Sequence, residues 1–399
     1  VGLIGLAIRN IATSSGLDAF LRVGANTTYA GISVTPETAL QIAAVFGCTR
    51  VIAEDIGKLP FEVYQQTADR ERQRATTSPL WKLIHDRPNA YQTSQQFREY
   101  LTACALLRGN GFALKNVIQG QVRELLPLSP DRVNVVQLPD FEIVFDVTMD
   151  NGRIERLTKR DVFVLPGLTI NGAFGVSVVQ YARQTLGTIT GANRHAGTFF
   201  GNGAKPSGML NHPGKLSDQA AKRLKNDLYE ATAGAASNNT LVLEEGMKFE
   251  PVTMTNTDSQ FLESRVFEVV EICRWFRVPP HKVAELSRAT FSNIEHQAIE
   301  YVTDTLMPWG KRWEYAINGQ VIVTNALYAE LNFNALLRGT TKERYEAYLM
   351  ATGGPWMSGN QVRKLENMEP MPELDKVLRP LNYAPAGQAE QEASGEQAN

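Results

Sequence analysis

Two glycine-rich stretches carry residue types that could hold a phosphate. In "LLRGNGFALK", residues 106–115, Gly109 and Gly111 stand one residue apart; in "GNGAKPSG", residues 201–208, a lysine follows two glycines. A phosphate loop works because successive backbone N–H groups converge on the anion, and it needs a strand before the glycines and a helix after them. Around Gly109 that order is reversed, a helical pattern first and a strand pattern second, so the stretch reads as a helix C-cap leading into a meander. In the second stretch the glycine spacing is wrong, Pro206 separates Lys205 from Ser207, and a helical pattern precedes it.

The remaining reactive residue types are dispersed. His85, His195, His212, His281 and His296 never pair at metal-ligand spacing, and there is no HExxH and no G-x-S-x-G. Glu244 and Glu245 adjoin, but neighbours on a strand point to opposite faces. Cys48, Cys104 and Cys273 lie in apolar segments without CxxC spacing and read as buried free thiols in a reducing compartment. No cofactor and no metal is expected. An enzyme would need a site assembled from scattered residues.

Bulk composition fits a folded chain of two or three modest domains, with 399 residues and 43% hydrophobic content. Lys and Arg number 40 against 42 Asp and Glu, which argues against a tight nucleic-acid coat and leaves a loose, sliding contact open. The opening "VGLIGLAIRNIA" is too short to span a bilayer and is interrupted by Arg9, so a soluble intracellular protein without a membrane partner is expected.

The elements that would position any site follow from periodicity. Residues 38–57 repeat apolar positions at helical spacing, "KLPFEVYQQ" alternates as a strand, and 93–107 reads as a helix capped by Thr93 or Ser94. Strands follow at Phe112–Val117 and Val122–Leu126 around the turn Gln119-Gly120, then in "RVNVVQL", "FEIVFDVTM" and "DVFVLPG", with a further turn at "DNG", 150–152. Residues 45–168 therefore form one α+β domain.

Residues 176–200 are helical in pattern yet keep Gly187, Gly191 and Gly197, each costing roughly 1 kcal/mol against alanine. Close approach of another backbone would explain them, either inside the same domain or from a neighbouring copy. Residues 204–257 form a small αβ unit: strand "PSGMLNHP", an amphipathic helix from Ser217, and "TLVLEEG" paired with "MKFEPVTM". In "SQFLESRVFEVVEICRWFRVPP", Leu262, Val266, Val269, Cys273 and Phe276 share one face while Phe261, Phe267, Val270 and Ile272 cover a second, which predicts a helix covered on two sides. A small unit is thus inserted between two long helices, a projection on a two-helix stalk. Ser292 and Glu295 form a capping box for a long helix that Pro308 should kink; strands "QVIVTNAL" and "YAELNFN" and helices over 340–368 complete the chain.

Read in order, "CTRVIAEDIGKLPFEVY", "RPNAYQTSQQFREYLTACALLRGNGFAL", "LLPLSPDRV", "FVLPGL", "GAFGVSVVQYARQTLG", "FFGNGAKPSGML", "LVLEEGMKFEPV", "DSQFLESRVFEVVEICRWFRVPPHKV", "TFSNIEHQAIEYVTDTLMPW" and "GNQVRKLENMEPMP" run from about residue 40 to 372. This succession resembles the portal proteins of tailed bacteriophages, of the type found in siphophages with a lambda-like head assembly and in gene transfer agents. The resemblance implies an α+β portal fold: a wing at 38–175, stem helices at 176–203 and 258–278, a clip at 204–257, a tunnel loop with a kinked helix at 279–335 returning to the wing, and a helical crown at 336–380. Outside the resemblance, a peripheral or mobile segment is expected at 1–37, and the tail at 381–399, whose last stretch "APAGQAEQEASGEQAN" has no large apolar residue, is expected to be disordered.

The implied function is a non-catalytic ring of about twelve copies at one capsid vertex, assembled in the host cytoplasm and carried in the virion, through which double-stranded DNA is packaged and ejected. Implied partners are the terminase large subunit, a head-tail adaptor and the major capsid protein or scaffold. Ser287, Arg288, Thr290 and Ser292 would face DNA from the tunnel loop. For Arg288 an ion pair with Glu285 or a neighbouring subunit competes, and for Ser292 a helix cap. Lys215, Lys222, Arg223 and Lys225 form a basic clip face, a docking surface or a solvated one. Gly187, Gly191, Leu262, Val266, Val269 and Cys273 would pack the stem. Another ring-forming virion component and a nucleotide-dependent enzyme are the competing readings.

Overall fold

The computed structural model describes residues 28–66, 72–170, 172, 174–201, 209–211, 214, 219, 222–223, 248–250, 256–286, 297–324, 326–333, 336, 341–354, 356–366 and 368–377. The chain divides into two compact units, one through Asn332 and one from Phe333 onward. The first contains α1 (Ala43–Lys58), β1 (Phe61–Gln66), β2 (Arg72–Arg74), α2 (Ser94–Arg108), β3 (Asn110–Ile118), β4 (Gln121–Leu128), β5 (Val133–Gln137), β6 (Ile143–Thr148), β7 (Ile154–Thr158) and β8 (Val162–Pro166). It continues with α3 (Arg183–Gly201), β9 (Met209–Asn211), β10 (Lys248–Glu250), α4 (Asn256–Phe276), α5 (Met307–Gln320) and β11 (Leu327–Leu331). The second unit holds α6 (Thr341–Gly353) and α7 (Gly359–Leu365), tied by Arg344 Nε to Glu366 at 2.8 Å. No described helix is long and apolar enough to cross a membrane.

Helices α1 and α2 form the centre of the first unit. Val45, Cys48, Ile52 and Ile56 of α1 and Phe97, Leu101, Cys104 and Ala105 of α2 are buried, as their helical spacing requires. Thr93 caps α2 through a capping box with Gln96. The buried Arg98 reaches across to the end of α1 and donates to the carbonyls of Leu59 at 2.6 Å and Gly57 at 2.7 Å. Burial pulls its pKa down to about 10, so it remains a cation at neutral pH.

Three three-stranded sheets, in the orders β11-β1-β2, β4-β3-β8 and β5-β6-β7, are all antiparallel. The two-residue turn between β3 and β4 has both Gln119 and Gly120 at positive φ, the geometry that matches strand twist. Phe112, Val135, Phe145, Val147, Val162 and Phe174 join the second and third sheets in one apolar cluster. Strands β2 and β7 have no counterpart in the sequence expectations; both are edge strands without an apolar face, and β7 is tied to β6 by Arg156 and Asp146 at 2.7 Å.

Helix α5 closes two of these sheets. Trp313 enters the core, stacked near Phe163 and donating to Thr102 Oγ1 at 3.0 Å. Asn318 accepts from the Ala329 N–H at 2.7 Å and donates to its carbonyl at 3.0 Å, and Glu314 accepts from the Leu331 N–H at 3.1 Å. Gln320 does the same for Val164 of β8, with both bonds at 2.8 Å. Helix side chains thereby occupy positions that a neighbouring strand would take. This also explains a correction: Val321–Thr324, expected as a strand, forms none. Val321 and Ile322 instead fold back onto the Ile317 carbonyl.

The kink expected at Pro308 takes the form of a wide π-type turn, Tyr301–Leu306, directly before α5. Pro308 thereby falls in the first turn of α5, where its missing N–H leaves no intrahelical bond broken. In the inserted unit β10 pairs with β9, and the expected arm "TLVLEEG" lies outside the described residues.

Replacing Asn318 with leucine orphans the buried N–H and C=O of Ala329. A loss of about 2–4 kcal/mol in unfolding free energy is expected, read from the denaturant midpoint at unchanged slope.

Candidate functional site

The GNG stretch is a backbone crossing. Gly109 caps α2 with φ +90, and a Cβ there would collide with the Gly175 carbonyl. Gly167 N donates to Gly109 O at 2.8 Å, and the buried Asn110 amide pairs with both backbone groups of Gly175 at 2.9 and 3.2 Å. Ser177 donates to Leu107 O and caps the helical turn Val178–Tyr181 that leads into α3. Gly109, Gly167 and Gly175 therefore act together: they bring three backbone segments close enough to set the path into α3.

On α3, Gly187 and Gly191 have a partner within the same chain. A Cβ on Gly187 would stand 2.5 Å from Thr28, and one on Gly191 3.2 Å from Ile32. Thr28 and Ile32 close a turn, Thr28 N donating to Ile32 O at 2.9 Å, and Tyr29 N donates to Gln184 Oε1 at 3.1 Å. Thr28, Ile32 and Val34 are buried. Close approach is thus intramolecular in the protomer, and the last part of the segment expected at the periphery is docked. At Gly197 a Cβ would meet open space.

The side chains of α4, the helix expected as the second of the stem, are described from Arg265 onward. Ile272, Cys273 and Phe276 of α4 are buried and Val269 half-buried, whereas Val266, Phe267 and Trp275 are exposed. Over Arg265–Phe276 the expected cover on two sides is therefore incomplete within one protomer: Ile272, Cys273 and Phe276 are covered, whereas Val266 and Phe267, one from each expected face, are not. Burial, aided by the neighbouring Glu271, raises the Glu268 carboxyl pKa, and Arg265 opposes this. Thr185 of α3 donates to Glu271 at 3.4 Å, linking the two helices. Leu262 lies on α4, but its side chain is outside the described part.

Helix α4 stops in a double reversal: Val278 N bonds to Cys273 O at 2.9 Å and Arg277 N to Arg274 O at 3.2 Å. Arg277 takes the left-handed position, φ 56, normally given to glycine, and pairs with Asp304 at 3.3 Å. Thr305 also donates to the Arg277 carbonyl. Across the segment that follows, His281 Nδ1 meets Gln297 Oε1 at 2.9 Å and the Lys282 ammonium sits 5.0 Å from the Tyr301 ring centroid. Burial, then the Asp55 carboxylate, pushes the Tyr301 phenol pKa up. A cleft of about 530 Å³ runs between Val270, Arg274, Pro279, Glu300 and Asp304. These contacts form the foot of the expected tunnel loop. Sequence reasoning missed them because arginine at a left-handed C-cap has no signature; Pro279-Pro280 was the available signal.

Ser287, Arg288, Thr290 and Ser292, and Lys215 and Lys225 of the clip, lie outside the described residues. Lys222 and Arg223 are helical and exposed. Among the described residues no three His, Cys, Asp or Glu side chains are grouped to hold a metal.

This mixture of helices and antiparallel sheets has counterparts among solved structures. A chain in a structure described as the virion of a native gene transfer agent particle superposes with TM-score 0.64 at 22% identity, covering 90% of this chain and all of that one. At that identity the likeness is one of fold. The family described as phage portal protein matches residues 43–367. The portal protein of Enterobacteria phage HK97 is 31% identical over 362 residues, 88% of this chain and 85% of its own length. The probable portal protein of Streptomyces phage phiC31 is 30% identical over 379 residues, 90% and 82% of the two chains. The chain belongs to the phage portal protein family. It is a structural protein of the virion, placed at the capsid vertex.

Gly187→Leu should displace the Thr28–Ile32 turn. Hydrogen–deuterium exchange of the amides of Thr28, Gly31 and Ile32 should accelerate in that variant and stay unchanged in Gly197→Leu, where space is open.

Proposed function

We propose that copies of this chain form a closed ring of about twelve subunits around a channel for double-stranded DNA. In this reading the wing is 38–175 with 279–335, the stem 176–203 with 258–278, the clip 204–257 and the crown 336–380. The terminase large subunit docks during packaging and a head-tail adaptor afterwards, with the basic clip residues Lys215, Lys222, Arg223 and Lys225 as the docking face. Major capsid protein or scaffold surrounds the rim. The protein works as a passage without catalysis.

The observation that carries the ring is the exposed apolar surface of α4. Val266, Phe267 and Trp275 remain 41–57% exposed on a helix whose last turns are already packed. In a ring these side chains meet the next subunit's stem. Two related neck structures, described as computed with C12 and C6 symmetry, support a cyclic assembly. A net charge of −2 supports sliding, because every neutralised phosphate adds a counterion-release contribution that pins the duplex. Ser287, Arg288 and Thr290 would touch DNA without reading its sequence, and Ser292 would cap its helix.

Native mass spectrometry with rotationally averaged electron micrographs tests the proposal. A cyclic oligomer with a hole of roughly 20 Å or more, the width of a duplex, is expected. Rings without such a hole would favour another ring-forming virion role, and saturable nucleotide binding by a monomer would favour an enzyme. Phe267→Glu should abolish rings while leaving the thermal transition of the wing in place.

A further inference from the structure

Two of the three cysteines, remote in sequence, meet in the fold. Cys48 on α1 and Cys273 on the last turns of α4 are both buried free thiols, with their sulfurs 3.9 Å apart. They lie 225 positions apart in the chain. A disulfide bond is about 2.05 Å long, so the sulfurs need to close by roughly 2 Å, a movement on the scale of side-chain adjustment. The two helices already lie against one another, and Val283 of the turn that follows α4 packs 3.2 Å from where a Cβ on Gly47 would stand.

Access is asymmetric. Cys273 borders the cleft beneath the tunnel-loop foot, beside Arg274, Arg277, Pro279 and Tyr301, whereas Cys48 lies behind it with no exposed surface. We propose that Cys48 and Cys273 are a latent disulfide, a modification site formed by exchange with a small organic disulfide entering through this cleft.

The Cys273 thiolate attacks one sulfur of the reagent RSSR, and RS⁻ departs to become RSH. Cys48 then loses its proton and attacks the Cys273 sulfur of the mixed disulfide, expelling the second RS⁻. Two electrons pass from the cysteines to the reagent, and two protons leave as two RSH. The charge distribution agrees with this order. The hydrogen bond from Cys48 lowers the Cys273 pKa against the effect of burial, while the same bond, then burial, raises that of Cys48. Cys104 provides an internal control, since burial pushes its thiol up to about 11.

The bond would tie α1 to the end of α4, fixing the point from which the tunnel-loop segment departs. Host cytoplasm keeps thiols reduced and released particles meet oxidants. That timing rests on the virion reading, whereas formation of the bond rests only on the geometry.

The test uses the full-length protein, reduced, then treated under native conditions with 2-hydroxyethyl disulfide. Titration should show two of the three thiols lost, with a chain mass lower by about 2 Da. A non-reducing tryptic digest should contain peptide 23–50 linked to 266–274, reversed by a reductant. Cys48→Ser should arrest at a mixed disulfide on Cys273, and Cys273→Ser should leave Cys48 unmodified. Three free thiols after treatment, a link through Cys104, or a link between chains would overturn the proposal. Peptide mapping of the unaltered chain decides it even if a serine variant fails to fold.

Discussion

Helix α5 serves as a common border for two sheets: Glu314 and Asn318 bond the backbone of β11, and Gln320 bonds that of β8. Much of the first unit depends on this arrangement. Because the same helix drives Trp313 between Phe97 and Phe163, one rigid rod sets the separation of α2, β8 and β11 together. The buried Lys115 adds a further tie by donating to the Gln320 carbonyl at 3.3 Å. Desolvation lowers its pKa while Asp161 partly restores it. Side-chain amides suit this task because each carries both a donor and an acceptor in the geometry of a peptide group.

The path into α3 and the end of α4 are set by different devices. The start of the α3 region is set by backbone crossing at three glycines, where there is no room for a side chain to adjust. The end of α4 is set by a left-handed arginine whose charge is held by Asp304. The first is stiff by steric exclusion. The second holds a residue in a costly backbone conformation, of the order of 1–2 kcal/mol, compensated by contacts with the wide turn preceding α5. The two ends thus differ in kind, and the end of α4 adjoins the segment proposed as the tunnel loop.

Local signals in the sequence were legible where one residue type fixes one geometry. A cap at Thr93 or Ser94, Gly109 after α2 and the turn at Gln119-Gly120 were placed from chemistry alone, and the structure puts a Thr93–Gln96 capping box, a C-cap and a hairpin turn there. Strands β2 and β7 were missed because edge strands lacking apolar alternation resemble loops. The segment Val321–Thr324 was misread as a strand because its run of β-branched residues has strand composition, while the edge of β11 was already occupied by Asn318. Of the candidate site, the glycines of α3 were recognised, but their partner was not: a single short turn at Thr28–Ile32 leaves no periodic trace. Arg277 and the Cys48–Cys273 encounter depend on tertiary placement that no spacing encodes.

The border formed by α5 has a further meaning for a chain that must accumulate before it assembles. An open strand edge is a template for any other open edge, and crowded copies would pair through it indiscriminately. At Val164 and Ala329 the backbone groups that would recruit a foreign strand are already bonded to amides of the chain's own helix. At these two positions sheet-to-sheet aggregation is closed off, and on the described part of α4 the apolar side chains left exposed are Val266, Phe267 and Trp275. Side chains that project from a helix select their mate by shape, whereas a strand edge accepts nearly any sequence.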